Sequence, residues 1–245
     1  MLRNVGALVI EPGQLRIVRG SPSNVENLLT RYPWALAAAA APMFGHTASR
    51  SCNGGPCTKL FDRASGVSFP GVFPDSGLTI SVKGNHASVA SGAQVAPGAD
   101  VAIQLYPAIV RAGVPGGPST RESSVAGMGL LRNGKLLLMV AGGGSPFELG
   151  QEFVRRGAEY AGYTDAGSSA ALYVRGEGWR GAHAANPTLP GWLLVGPVPR
   201  VSMMKWAALV IGVLLALGGA GLLAQRYFRG VPDVVGPRTF NRRFR

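Results

Sequence analysis

Apolar positions come in short bursts over the first forty residues. Residues 5–10 and 15–18 predict two strands joined around Glu11-Pro12-Gly13 as an N-terminal hairpin. Ser23-Asn24-Val25-Glu26 has the spacing of a capping box, whose end residues satisfy each other's free amides, and it opens a helix to about Arg31. Pro33 interrupts that helix, and the alanine-rich stretch to Ala41 reads as a second helical piece. From Met43 to Pro118, Gly, Pro and Ser punctuate short strand-like runs at 77–82, 86–89 and 101–105, and 108–118 reads as a loop. The apolar runs 125–131 and 135–140 flank Arg132-Asn133-Gly134. Asn-Gly accepts the positive φ angles of a tight turn, so a second hairpin is predicted there. Ser145, Pro146 and Glu148 fit the cap and first turn of a helix over 145–157. Strands at 161–164, 170–174 and 192–195 complete the pattern. The expected class is α+β: a strand-rich single domain.

A different pattern begins at Trp206. Nineteen residues, to Ala224, carry no charge or strongly polar side chain, and nine of them are Leu, Ile or Val. At 1.5 Å per residue they span roughly 28 Å, about a bilayer's hydrocarbon thickness. The nine large aliphatics favour insertion by about 3–5 kcal/mol before the glycines are counted. One C-terminal transmembrane helix is therefore expected at 206–224. The organisation becomes an N-terminal segment at 1–42 belonging to the main domain, the rest of that domain at 43–198, a linker at 199–205, the span, and a tail at 225–245. Within the span Ala208, Gly212, Ala216 and Ala220 recur every four residues, a small-residue face that lets a partner helix approach closely.

Charge sharpens this picture. The 245 residues hold 24 Lys and Arg against 12 Asp and Glu, net +12. The tail alone has Arg226, Arg229, Arg238, Arg242, Arg243 and Arg245 against Asp233. The positive-inside rule then puts the tail in the cytoplasm or an equivalent interior, and the chain in a membrane as a single-pass protein with the lipid bilayer as a partner. The apolar stretch at 5–10 is too short for a signal peptide. Either the span directs translocation, or the domain stays on the side where it is made, or the membrane is a viral one with the tail facing packaged nucleic acid. Contacts of the tail with anions would be to phosphates and without sequence preference.

Few motifs survive scrutiny. Gly129 to Lys135 imitates a phosphate-binding loop, but Leu136 stands where Ser or Thr must hold magnesium, and Asn133-Gly134 turns a hairpin instead of opening a helix. Cys52 and Cys57 could pair, stay as thiols or hold metal. The three histidines (His46, His86, His183) are scattered, so no metal site is assigned and no cofactor is named. Gly142-Gly143-Gly144 runs into the helix capped by Ser145 and Glu148, where free amides could hold an anion. Thr164-Asp165-Ala166-Gly167-Ser168-Ser169 puts a carboxylate before small residues at a strand end, a place where amides and hydroxyls can approach a phosphate or sugar.

The order of these pieces over about 50–195 resembles the phosphodiester glycosidase family, which includes the enzyme that removes α-linked N-acetylglucosamine from a phosphodiester. Asn53-Gly54-Gly55 is similar to its early turn, Gly129 to Leu138 to its hairpin, and Glu148-Leu149 to the helix that ends at Gly157-Ala158. Asp165-Ala166-Gly167-Ser168-Ser169 falls where the family has Asp-Gly-Gly-Gly-Ser, and Asn186-Pro187 resembles a later element. The chain departs from the family at Val125, where an Arg is expected, and at Ala166. The resemblance implies hydrolysis of a sugar-1-phosphodiester of envelope glycans. Asp165 would be the working carboxylate and Glu148 the second choice. Asn53, Gly54, Gly167, Ser168, Ser169 and Asn186 would bind substrate, and Arg121 would be a nearby cation. The competing expectation is a catalytically inactive, membrane-anchored structural or glycan-binding protein of a cell envelope or membrane-containing virion. The two differ in whether these residues converge on one open cleft.

Overall fold

The computed structural model describes residues 2–19, 25–41, 58–71, 75, 77–166, 170–181 and 191–197. The chain divides into two units, Met1–Val198 and Pro199–Arg245, and the second lies wholly outside the described residues.

In chain order the elements are β1 (Arg3–Ile10), β2 (Leu15–Arg19), α1 (Val25–Arg31), β3 (Ala37–Ala40), β4 (Leu60–Asp62), β5 (Val67–Phe69), β6 (Leu78–Lys83), β7 (His86–Ser91) and β8 (Val101–Leu105). After them come β9 (Ala108–Arg111), β10 (Val114–Pro115), β11 (Glu122–Leu131), β12 (Leu136–Gly144), α2 (Pro146–Arg155), β13 (Ala158–Ala166), β14 (Leu172–Val174), β15 (Gly178–Trp179) and β16 (Gly191–Val195). They build three antiparallel sheets. One runs β1-β12-β11-β13-β9-β10, the second β15-β14-β3-β16-β2 and the third β5-β4-β8-β6-β7.

This corrects the expected fold class. The described chain is β-dominated rather than α+β, with two α-helices of seven and ten residues. None of the described helices is long and apolar enough to cross a membrane. Residues 206–224, with Ala208, Gly212, Ala216 and Ala220, and the arginines of the tail lie outside the described residues. The alanine-rich stretch is also corrected. Alanine favours helix by itself, but Ala37–Ala40 is a strand in the middle of its sheet, between β14 and β16. Residues 108–111 and 114–115, expected as loop, are β9 and β10.

The N-terminal strands exist, but they are not a hairpin. β1 pairs with β12 and β2 pairs with β16 in a different sheet, and a 3-10 turn at Pro12–Gln14 carries the chain between them. The predicted second hairpin is present: β11 and β12 pair in register from Glu122↔Gly144 to Leu130↔Leu136. Gly134 takes φ 81 in its turn, where a side chain would be strained.

Alternation along the strands decides what is buried. Ala126, Met128, Leu138 and Val140 of the first sheet face a central core shared with Ile17, Ala39 and Leu193 of the second and with Ile80 and Ile103 of the third. The opposite face of the first sheet is covered by α2 through Leu149 and Phe153. Gly127 and Gly129 allow that approach. A methyl at Gly127 would stand 2.9 Å from the Phe153 ring and from Gly162 O. The outer face of the second sheet packs Trp192 and Ala38 under Leu28 and Leu29 of α1, and the Arg175 guanidinium donates to Leu29 O and Ala35 O.

Candidate functional site

Asp165 owes its position to an irregularity in β13. Ala126 pairs with Asp165 and Gly127 with Tyr163, so Thr164 is an extra residue, a β-bulge. The bulge lets Asp165 sit opposite Ala126, whose side chain faces the central core, while Tyr163 packs on the α2 side. Thr164 is buried beside it, lining a void of about 10 Å³ with Ala40, Ala126 and Ala171. Asp165 Oδ1 accepts the amide of Ala166 at 2.8 Å. Burial pushes the carboxyl up from 3.8 to about 7, against the opposing pull of that one hydrogen bond. Such a group can carry a proton or give it up near neutral pH, which the chemistry of proton transfer requires.

Asn53, Gly54, Gly167, Ser168, Ser169 and Asn186 lie outside the described residues, as do Cys52 and Cys57. The described residues that flank them are informative. Ala41 donates to Gly191 O at 3.4 Å, and Ala40 donates to Ala171 O at 3.1 Å. Ala41 and Ala170 are buried in the same core cluster as Ala126, the cross-strand neighbour of Asp165. Ala41 before the segment of the predicted asparagine turn, Ala170 and Ala171 after the glycine–serine turn and Gly191 after the Asn-Pro element thus meet at one end of the second sheet, next to the strand end of Asp165.

Glu148 has a structural occupation. It closes the predicted capping box: Ser145 Oγ accepts the Glu148 amide at 3.2 Å, and Glu148 Oε2 accepts the Ser145 amide at 3.0 Å. Arg121 Nη1 reaches both Glu148 oxygens at 3.1 Å. Arg121 therefore stands beside the helix start. Arg180 pairs with Glu177.

Register brings together groups that the sequence reading passed over. The Tyr163 hydroxyl is buried, with no hydrogen-bond partner among the described residues. Burial raises its ionisation first, followed by the charges of Glu122 and Asp165, so both carboxylates lie close enough to act on it. Glu122 stands opposite Gly144 at the same sheet end. Arg3, opposite Gly142, lines a depression of about 410 Å³ with Asn4, Arg121, Ser123, Gly142 and Gly143. The only sequence signal for Tyr163 was its place two residues before Asp165. Arg3 had none, since its partners are more than a hundred residues away. Among the described residues no group of three or more His, Cys, Asp or Glu could hold a metal ion.

No family model matches the chain, and no curated protein matches it in sequence. Its fold is similar to those of solved structures. One is the catalytic domain of zebrafish N-acetylglucosamine-1-phosphodiester alpha-N-acetylglucosaminidase auto-inhibited by its pro-peptide, with TM-score 0.55 and 12% identity over 79% of this chain and 73% of that one. Another, described as an exported protein of Burkholderia pseudomallei, gives TM-score 0.55 and 12% identity over 79% of this chain and 74% of the other. A hypothetical protein from Synechocystis gives TM-score 0.51 and 14% identity over 78% of this chain, which spans 59% of that one. At these identities the relationship is a distant one of fold.

Proposed function

We propose that the chain is a phosphodiester glycosidase-like protein acting on a sugar-1-phosphodiester, with Asp165 as its working carboxylate. The observation that carries this reading is the position of Asp165. Its carboxyl, raised by burial to about 7, lies at the strand end where the segments bearing Asn53 and Ser168 leave and the one bearing Asn186 returns at Gly191. The fold likeness to the zebrafish enzyme supports it.

In the reaction, water attacks the anomeric carbon. The bond from that carbon to the phosphate oxygen breaks, and the phosphate monoester leaves as an anion. The water proton passes to the Asp165 carboxylate. A leaving phosphate needs no proton, so one carboxylate suffices to guide the water, and the remaining task is to hold the departing charge.

A second reading, a glycan-binding protein without turnover, is favoured by one observation. Glu148, the other candidate carboxylate, is committed to the Ser145 cap and to Arg121. The experiment is release of free sugar from a synthetic N-acetylglucosamine-1-phosphodiester by the full chain and by Asp165→Asn. Turnover reduced by on the order of a thousandfold in the variant supports the assignment. Equal turnover in both removes Asp165. Binding without turnover in the unaltered chain selects the second reading.

A further inference from the structure

Among the described residues three large apolar side chains stand exposed: Val9, Leu36 and Val114, at 52%, 51% and 65%. They come from separate stretches of chain, yet backbone contacts tie all three to one end of the fold. Val9 lies just before the end of β1, and the next residue after that strand, Glu11, reaches the Lys135 ammonium at 2.7 Å. Leu36, the residue before β3, donates its amide to Val195 O at 2.7 Å, and Gly196 donates to Gln14 O at 3.1 Å, three residues past Glu11. Arg132, in the same turn as Lys135, donates its amide to Gly157 O at 3.2 Å. Val114 follows Gly113, which donates to Glu159 O at 2.8 Å. This end is remote from Asp165. Glu159 and Asp165 are six residues apart on β13, a rise of about 20 Å. β3 starts here and runs to Ala40, at the other end.

The outermost charge at this end is positive. Arg111, opposite Val114, and Arg132 are exposed, and α2 finishes here with Arg155 and Arg156. Glu152 pairs with both of the last two, but its side chain is 14% exposed against 69% and 36% for theirs, so the guanidiniums cover the carboxylate. Lys135 and Glu11 offset each other, and Glu159 is half-buried. Exposed apolar tips among cations suit a lipid surface with anionic headgroups, which takes the guanidiniums at its phosphates and the apolar tips at its acyl boundary. A nucleic acid would use the cations and leave the apolar tips in water. The described chain also departs from this end, at Gly196 and Pro197, and the sequence that follows carries the uncharged run 206–224 and the arginines of the tail. We propose that this end is a docking face for an anionic lipid surface, with Arg132, Arg155 and Arg156 on the headgroups and Val9, Leu36 and Val114 entering the boundary. Docked in this way, the protein turns Asp165 away from the lipid, towards substrate arriving through water. The face stands on its own residues, whatever the fate of turnover at Asp165.

The test is amide NMR of the full chain with lipid nanodiscs of phosphatidylglycerol and phosphatidylcholine that carry a gadolinium headgroup. Amides of Gly113, Asn133, Gly134 and Gly157 should broaden several-fold more than those of Ser123, Gly142 and Asp165. The readout is orientation, so it reports on this face even where another part of the chain holds the disc. Broadening that is even over the domain, absent, or stronger at the Asp165 end overturns the proposal. Arg132→Gln combined with Arg155→Gln should weaken docking about twenty-five-fold, at about fivefold per charge, and abolish the contrast between the two ends. Val114→Ser should reduce the contrast with both cations in place, and an undiminished contrast in both variants overturns the assignment of these residues. All three positions are exposed, so unchanged amide shifts elsewhere will show that the variants fold. Discs of phosphatidylcholine alone should give no contrast, and an equal contrast there removes the anionic headgroup from the proposal. Shifts of the same amides with a DNA duplex, and none with the discs, would replace the lipid surface by a nucleic acid.

Discussion

Asp165→Asn gives a test of the site that needs no substrate. In the folded chain the carboxyl is pushed to about 7, against 3.8 for the ordinary group. A group whose folded value is raised binds protons more tightly in the native state than in the unfolded one. Stability therefore falls as pH rises between the two values and is level on either side. At about 1.4 kcal/mol per pH unit, the gap from 3.8 to about 7 sets a ceiling of about 4 kcal/mol. Asp165 is only half-buried, and water reaching it screens part of that, leaving on the order of 2 kcal/mol. Asparagine has the same shape and does not titrate. Urea unfolding of both proteins, at half-unit steps from pH 4 to pH 8, should show the variant gaining on the parent through this window and holding a constant lead above about pH 7.5. Parallel curves would mean that Asp165 is solvated in the folded chain and would refute the account of its raised value, and with it the argument that it is poised for proton transfer at neutral pH.

Two further substitutions test the frame around the site. Asp62 is fully buried and accepts the amides of Ile17, Ala64 and Ser65 at 2.7, 2.9 and 3.1 Å, so Asp62→Ala should cost about 2–4 kcal/mol in urea unfolding by stranding three donors. At Gly129 an added methyl would stand 2.8 Å from Tyr160 O and 3.0 Å from the Phe153 ring; Gly129→Ala should therefore lose about 1–3 kcal/mol, and a neutral result would show that α2 can shift outward freely.

Features set by near neighbours were visible in the sequence, whereas those set by distant register were not. The turn at Asn133-Gly134 and the cap at Ser145 are local: Gly134 N donates to Leu131 O at 2.9 Å, and Ser145 meets Glu148 three residues on. β6 and β8 announced themselves by runs of apolar and β-branched residues buried along their length. The hairpin expected at the N-terminus failed because β1 and β2 find partners over 120 residues later, which no local pattern encodes. The strand at Ala37–Ala40 failed for a related reason: alanine's preference is weak, and pairing on both sides overrode it. At the site, Asp165 was conspicuous as a carboxylate among small residues. Glu122, Tyr163 and Arg3 looked like ordinary strand residues until register placed them at the same sheet end.

The division of β1 and β2 between two sheets has a consequence for synthesis. β1 and β2 leave a ribosome well before the strands that pair with them. β1 must wait for residues 136–142 and β2 for residues 191–195. Until then both expose open backbone edges and the apolar faces of Ile10, Leu15 and Ile17. Long-range closure of this kind slows folding, and the waiting strands are ready templates for association with other nascent chains. Conditions that slow elongation through residues 136–195 should therefore favour aggregation over assembly, and holdase chaperones that shield β1 and β2 should restore the yield.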